Sequence, residues 1–220
     1  MAESSPRFAD LTIAEFVDRL ASAEPVPGGG SASAIAASLG AALLTMVARL
    51  STARSKYEAF AETHARAEAA GLAAADRFLE LADEDAAAYA AFAAALKLPR
   101  ETPAQQETRS DAIRLAARGA ALVPLDVIRG CHRLALEIEA MAGRSNLNAA
   151  SDIGVAALLA DAAAHGAAAN VLINLPAAAD DAFAATTTDA LVGHLEAIED
   201  LARRAREIVG TGRLRDPESP

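Results

Sequence analysis

Three polar groupings interrupt an otherwise apolar chain, and each holds residue types that can do chemistry. The first is Pro25-Val-Pro-Gly-Gly-Gly-Ser31, which runs directly into the uncharged stretch Ala32–Ala48. Prolines and glycines at that density cannot sit inside a helix or a central strand. The Ala- and Leu-rich stretch after them reads as helix. Gly28, Gly29 and Gly30 therefore form a turn at a helix N-terminus, with Ser31 as the expected N-cap. Free backbone N–H groups and the positive end of the helix dipole meet there, and no Cβ atom blocks a ligand. A Pro-Gly linker with no ligand has the same composition. The segment lacks the Gly-Lys-Ser/Thr ending of a P-loop and follows a helix, which excludes nucleotide binding of that type.

The second grouping is acidic: Glu80, Asp83, Glu84 and Asp85. A solvated helix face accounts for it. The chemical alternative turns Asp85 inward while Asp83 and Glu84 face water. Desolvation and nearby like charges then raise its pKa toward the range useful for general acid–base work. The third comprises Asn146, Asn148, Ser151 and Asp152, then Asn170 and Asn174. Ser-Asp before a helix is an ordinary capping pair. Asn170 and Asn174 share a helical face at i and i+4 among apolar neighbours. An unpaired buried amide costs roughly 1–3 kcal/mol, so backbone groups or a polar ring ligand must partner them. Lys56 follows a helix C-terminus, where the dipole favours a cation. His64, His132, His165 and His194 show no zinc-ligand spacing, Cys131-His132 reads as core beside surface, and no metal site is expected.

The elements that hold these groups are expected to be helices throughout. Of 220 residues, 53% are hydrophobic but only 4% aromatic, so the core must be built from Ala, Leu, Val and Ile. Alanine is the best helix former. No period-2 run and no fixed repeat is present. Thr12-Ile-Ala-Glu15 is a capping box opening a first helix to about Ala23. The second runs from about Ser31 to Leu50, with Ile35, Leu39, Leu43, Met46 and Leu50 as one stripe. Its small stripe, Ala32, Ala36 and Gly40, suits close contact with a neighbouring helix or a second subunit. A helical region over 57–96 is expected to break near Gly71, one over 103–143 to restart at Pro124, and one over 153–175 to break near Gly166. A short helix near 180–185 and a last one over 188–209 complete the chain. The fold class is all-α, a single-domain bundle of about eight or nine helices over residues 12–210, with a flexible N-terminus (1–11) and a flexible tail (211–220).

A net charge of −10 excludes a nucleic-acid partner and docking on an anionic membrane. One cysteine excludes an intrachain disulfide. The uncharged run 25–48 is at the short end for a spanning helix and has no second comparable run. A buried central helix fits it better. With no signal-peptide pattern at the N-terminus, a cytoplasmic address is expected.

Taken together, these stretches resemble the formiminotransferase-cyclodeaminase C-terminal domain family and its stand-alone relatives, the methenyltetrahydrofolate cyclohydrolases. The resemblance rests on Thr12-Ile-Ala-Glu-Phe16, Pro27-Gly-Gly-Gly-Ser31, Leu50-Ser51 with Lys56-Tyr57, Asp85-Ala86, Leu98-Pro99 and Val123-Pro-Leu125. It continues in Asn146 and Asn148, Ser151-Asp-Ile-Gly-Val-Ala-Ala157 and Asn170-Val-Leu-Ile-Asn-Leu175. These follow the family order and span about residues 12–210. Two positions depart from the family pattern: Ala53-Arg-Ser stands where Gly-Lys-Lys is frequent, and Ser145 where glycine is usual.

The resemblance implies an all-helical domain that forms a tight homodimer, with a tetrahydrofolate derivative bound as substrate near helix ends and no metal or redox cofactor. Carried over residue by residue, Gly28, Gly29, Gly30, Ser31, Asn146, Asn148, Ser151, Asn170 and Asn174 would line the folate pocket. Asp152, Asp85 and Lys56 would be the chemical groups. With the chain read as stand-alone, the implied reaction is hydrolysis of 5,10-methenyltetrahydrofolate to 10-formyltetrahydrofolate. The alternatives are a formiminotetrahydrofolate cyclodeaminase releasing ammonia, and a non-catalytic helical dimer that binds folate or a protein partner.

Overall fold

The computed structural model describes residues 6–52 and 54–217. The outer parts of the two expected flexible ends, 1–5 and 218–220, and Ala53 of the departing motif lie outside them. Among the described residues there are six α-helices: α1 (Ile13–Leu20), α2 (Gly29–Thr52), α3 (Ala61–Leu96), α4 (Pro103–Met141), α5 (Ala150–Ala178) and α6 (Asp181–Gly210). Three short 3-10 segments, Phe8–Asp10, Ser55–Phe60 and Leu147–Ala149, connect or flank them.

The all-α class is as expected, but six helices replace the eight or nine. Gly71 does not break α3, because a side chain there would overlap Thr45 Oγ1 and stand 2.9 Å from the Ala41 carbonyl. It lets α3 close onto α2. Gly166 does the same for α5, where a Cβ would overlap Ser33 Oγ. Pro124 stands inside α4 and leaves the Ala120 carbonyl without its i+4 donor. Asn174 supplies the missing donor, its Nδ2 lying 3.1 Å from Ala120 O. Residues 180–185 and 188–209 form one helix, α6, capped by the Asp180 side chain on Phe183 N.

Helix α2 is the axis of the bundle. Ala34, Ala37, Ala41, Leu44, Val47 and Ala48 are fully buried. Both α3 and α5 run antiparallel beside it: Ser31 bonds Ala82 while Ser38 bonds Ala75, and Gly29 meets Asn170 while Gly40 meets Ala156. The small-residue stripe is thus used within the chain, since a Cβ at Gly40 would stand 3.2 Å from the Ala156 carbonyl of α5. The stripe is split: Ile35 and Leu43 pack against the core, whereas Leu39 is 55% exposed, Met46 38% and Leu50 44%. Helix α1 buries none of its residues, although its Thr12–Glu15 capping box forms as expected. Two segments, α2 and Leu147–Ala178, are long and apolar enough to cross a membrane by length and composition, where only one was expected. Both contribute buried residues to the core.

The ends of the described chain pack onto the bundle. Phe8 N donates to Asp83 Oδ1 at 2.9 Å. Arg215 N donates to Gly143 O at 2.7 Å, and its guanidinium lies 2.6 Å from Glu139. Cys131 is fully buried in α4, and burial pushes its thiol up to about 12.

Candidate active site

The N-terminal end of α2 gathers the first two polar groupings. The Gly28 carbonyl accepts the first intrahelical bond, from Ala32 N, so α2 opens at Gly29 and Ser31 lies within its first turn rather than at the N-cap. Its hydroxyl turns to α3 instead, standing 3.0 Å from Ala82 O and 3.0 Å from Asp85 Oδ2. One hydroxyl proton thus faces two acceptors. Both are satisfied when the Asp85 carboxyl carries the proton and donates to Ser31, which donates on to Ala82. Burial pushes Asp85 above its ordinary value, opposed by hydrogen bonds from the Ser31 hydroxyl and backbone N–H. Gly30 makes room for this carboxyl, since any Cβ there would overlap it.

The acidic cluster is thereby divided. Asp85 faces α2, Asp83 holds Phe8 N, and Glu80 and Glu84 pair with Arg77 on the surface. Asn170 reaches the same end of α2 from α5: its Nδ2 lies 3.4 Å from where a Gly29 Cβ would stand and donates to Gly166 O at 2.9 Å. Asn174, one turn on, donates to Ala120 O and Asn170 O. Both amide nitrogens are thus used by backbone, as one of the two readings of these residues required. Gly28, Gly29, Gly30, Ser31, Asp85, Asn170 and Asn174 therefore share one end of the bundle.

Asn146, Asn148, Ser151, Asp152 and Lys56 lie at the other end. Ser51, in the last turn of α2, donates to Val47 O and accepts from Asn146 N at 2.9 Å. The Tyr57 hydroxyl accepts from Leu147 N at 3.2 Å. Asn146 is buried, and its Oδ1 accepts from Asn148 N at 3.1 Å, which shapes the loop. The left-handed backbone in this loop falls on Gly143, so Ser145 is accommodated without it. Helix α5 opens at Ala150 with no side-chain cap, which leaves Ser151 and Asp152 in its first turn rather than as caps. Asp152 has no hydrogen-bond or ion-pair partner among the described residues, and Lys56 has only the Tyr57 ring, 5.5 Å from its Nζ. At 1.5 Å per residue, Ser31 and Ser51 are about 30 Å apart along α2. One chain does not bring the two sets together.

The sequence reading missed His64. It is 1% exposed, and its Nε2 lies 2.8 Å from Arg144 O. The available signal was its spacing: His64, Ala67, Gly71 and Phe78 lie on one buried stripe of α3. His64 lines a cavity of about 290 Å³ with Thr52, Arg54, Ser55, Tyr57, Glu58 and Ala61. A larger cavity, about 650 Å³, lies between α3 and α4 and contains none of the expected residues. Its floor includes Leu44, Phe78 and Leu134. Two of its rim arginines are paired, Arg77 with Glu80 and Glu84, and Arg129 with Asp126, so the acid–base candidates lie elsewhere. Among the described residues, no group of three or more His, Cys, Asp or Glu is arranged to hold a metal ion.

Residues 12–192 match the formiminotransferase-cyclodeaminase family. The methenyltetrahydrofolate cyclohydrolase of Methylorubrum extorquens is 37% identical over 200 residues, 90% of this chain and 95% of that protein. The formimidoyltransferase-cyclodeaminase of Rattus norvegicus is 36% identical over 174 residues, 79% of this chain and 32% of that protein. The chain thus spans about a third of the length of such two-activity relatives. Among solved structures, formiminotetrahydrofolate cyclodeaminase from Thermotoga maritima superposes with a TM-score of 0.84 at 30% identity, covering 92% of this chain and 98% of that one.

Proposed function

The chain belongs to the formiminotransferase-cyclodeaminase family, and from that premise we propose that it hydrolyses 5,10-methenyltetrahydrofolate to 10-formyltetrahydrofolate. The observation that carries this reading is the nearly end-to-end similarity to the Methylorubrum cyclohydrolase. In the reaction, water adds to the cationic one-carbon bridge and loses a proton. The N5–carbon bond then opens as the added hydroxyl gives up its remaining proton and becomes the formyl carbonyl, N5 takes up a proton, and the formyl group stays on N10, with net release of one proton. The enzyme must stabilise a delocalised cation, accept a proton from water and deliver one to N5.

Asp85 suits the proton transfers. Its carboxyl is held above the ordinary range by burial and is linked through Ser31 to a fixed acceptor. Asp152, in the first turn of α5 and without a partner among the described residues, supplies the carboxylate for the cation. Lys56 acts as an acid or anchors a substrate carboxylate. Gly28–Ser31, Asn146, Asn148, Ser151, Asn170 and Asn174 shape the binding surfaces at the two ends of α2. The substrate is the tetrahydrofolate derivative itself, with no further cofactor, in a soluble cytoplasmic protein.

The reading includes a homodimer. A two-fold axis across the middle of α2 sets two copies of this helix antiparallel, which brings Asp85 of one protomer toward Lys56 and Asp152 of the other. The exposed Leu39, Met46 and Leu50, with Val155 and Leu158 of the neighbouring α5, supply the apolar surface such a pairing would cover.

The test is the loss of the methenyltetrahydrofolate chromophore with purified protein, against the buffer-catalysed rate, in a non-nucleophilic buffer. Acceleration is expected. Asp85→Asn and Asp152→Asn both keeping full turnover would overturn the residue assignment. The fit to the Thermotoga cyclodeaminase favours a second reading, in which N10 of 5-formiminotetrahydrofolate attacks the formimino carbon and ammonia leaves. Ammonia release from that substrate, without hydrolysis of the methenyl compound, selects it. Folate binding with neither reaction leaves a non-catalytic binding dimer.

A further inference from the structure

The loop that follows α4 carries Asn146 and Asn148, and its backbone is held from four sides. Residues 141–146 are all buried. His64 Nε2 donates to the Arg144 carbonyl at 2.8 Å, Asn146 N donates to Ser51 Oγ at 2.9 Å, and Leu147 N donates to the Tyr57 hydroxyl at 3.2 Å. The fourth hold comes from the C-terminal segment, where Arg215 N donates to Gly143 O at 2.7 Å. Buried backbone groups must be paired, and here the pairing spends them on four separate parts of the chain.

The C-terminal segment is shaped for this contact. Helix α6 ends at Gly210, and Gly212, left-handed at φ +63°, turns the chain back. Gly212 N donates to Val209 O and Arg213 N to Thr211 Oγ1, which fixes the turn. Gly143 is also left-handed, at φ +71°, and a Cβ there would stand 2.9 Å from Ile208 Cγ2 and 3.1 Å from Arg215 Cγ. Loop and segment thus meet with no room for a side chain between them. The Arg215 guanidinium reaches Glu139, in the last turn of α4, at 2.6 Å. Both side chains of this pair are 18% exposed, against 44% for each partner of the surface pair Arg77–Glu84. Solvent and salt screen the more buried pair less. Glu139 also offsets the like charges that Arg215 and Arg66 place on the buried Arg144.

The same contacts show what the segment does not hold. Helix α5 is anchored by its own core residues, Ile153, Ala156 and Ala157, so Asp152 in its first turn keeps its place without the tail. Asn148 has no such anchor. It is exposed, lies in the 3-10 segment Leu147–Ala149, and its N–H rests on Asn146 Oδ1 at 3.1 Å.

We propose that Arg215, clamped to Glu139, is a positioning residue for substrate binding: through the Gly143 carbonyl it fixes the loop that presents Asn148. The inference rests on the folate reading above. It goes beyond that reading in giving the C-terminal segment a part in binding and none in the chemical step.

The experiment combines hydrogen exchange and kinetics on the full chain. In Arg215→Ala the amides of Asn146, Leu147 and Asn148 are expected to exchange about tenfold faster, and those of Ile153, Ala156 and Ala157 at the parent rate. With 5,10-methenyltetrahydrofolate, KM is expected to rise about five- to tenfold while kcat stays within about twofold. Arg215→Lys keeps the charge and is expected to recover most of both effects. In an Asn148→Ala background the KM effect of Arg215→Ala is expected to vanish, because the side chain it positions is gone. A tail that only stabilises the fold would add its full effect in that background. Unchanged loop exchange would overturn the proposal, as would a fall in kcat matching the rise in KM, or full additivity with Asn148→Ala. The exchange measurement needs no substrate, so the two failures separate. Unchanged exchange removes the clamp whatever the reaction; if the parent neither turns over nor binds the methenyl compound, the folate reading falls, and the binding role of Arg215 with it.

Discussion

The two ends of α2 are built on opposite plans. At the N-terminal end every named polar group is engaged: the Ser31 hydroxyl is spent on Ala82 and Asp85, the Asn170 and Asn174 amides on backbone, and the carboxyl of Asp85 fills the space a Gly30 side chain would need. At the C-terminal end Lys56, Arg54, Glu58 and Asp152 have no ion-pair partner among the described residues. The first arrangement fixes one acidic group in advance of any ligand; the second leaves charges waiting for one. Fixed geometry suits proton transfer, where small displacements are expensive. Uncommitted polar groups suit recognition, where the ligand completes the hydrogen bonding.

Substitutions at the two ends should therefore fail differently. The largest expected effect is at Asp85→Asn: turnover falls by roughly 10²–10⁴-fold while the melting temperature at neutral pH holds or rises, since an amide cannot take on the charge that burial disfavours. A parallel fall in turnover and stability would mean that the carboxyl is structural. Next comes Gly30→Ala, where the new methyl expels the same carboxyl. Turnover should drop about as far, but now with a destabilisation of about 1–3 kcal/mol measured by urea unfolding. At the open end, Lys56→Gln is expected to raise KM with kcat changed less, and to leave stability within about 0.5 kcal/mol. An equal loss in both kinetic constants would move Lys56 into the chemical step.

The smallest effect is the pH dependence of stability. Between the ordinary carboxylate range and the raised value of Asp85, the folded chain keeps a proton that the unfolded chain has lost. Stability contributed by this group therefore falls as pH rises through that window and levels off above it. Chemical unfolding of the parent against Asp85→Asn should show the two stability curves diverging upward in pH, and curves that stay parallel would refute the burial of this carboxyl.

Much of this contrast was legible in the residues, and the parts that were not share a cause. The Thr12–Glu15 box and the helix opened by the glycine turn follow from local rules that need only near neighbours in sequence, whereas the choice between a solvated and an inward Asp85 is made by Ser31, on another helix. The helix count failed because Gly71, Pro124 and Gly166 were read as breaks. Each is rescued by a partner on another helix: Thr45, Asn174 and Ser33 respectively. Asn174 is accordingly tied to the fold. Asn174→Ala should destabilise by about 1–3 kcal/mol, and much less in a Pro124→Ala background, where Ala120 O regains its own helical donor; equal losses in both backgrounds would remove that role. The outward turn of Leu39, Met46 and Leu50 is not legible in the sequence, because hydropathy marks apolar faces without saying whether the cover comes from the same chain. The burial of His64 was signalled by its spacing with Ala67, Gly71 and Phe78, but its partner, the Arg144 carbonyl, lies 80 residues away and has no local signature.

The buried Cys131, with a thiol pushed up to about 12 by its surroundings, has a practical consequence. The native chain offers almost no thiolate to alkylating reagents at neutral pH, so any cysteine introduced on the surface can be labelled alone. Spin labels at exposed positions near the two ends of α2 would report about 30 Å within a protomer. An additional, much shorter separation between subunits would appear only if two copies lie head to tail across this helix. The quiet interior thiol thus makes the chain its own molecular ruler for the proposed pairing of two copies across α2.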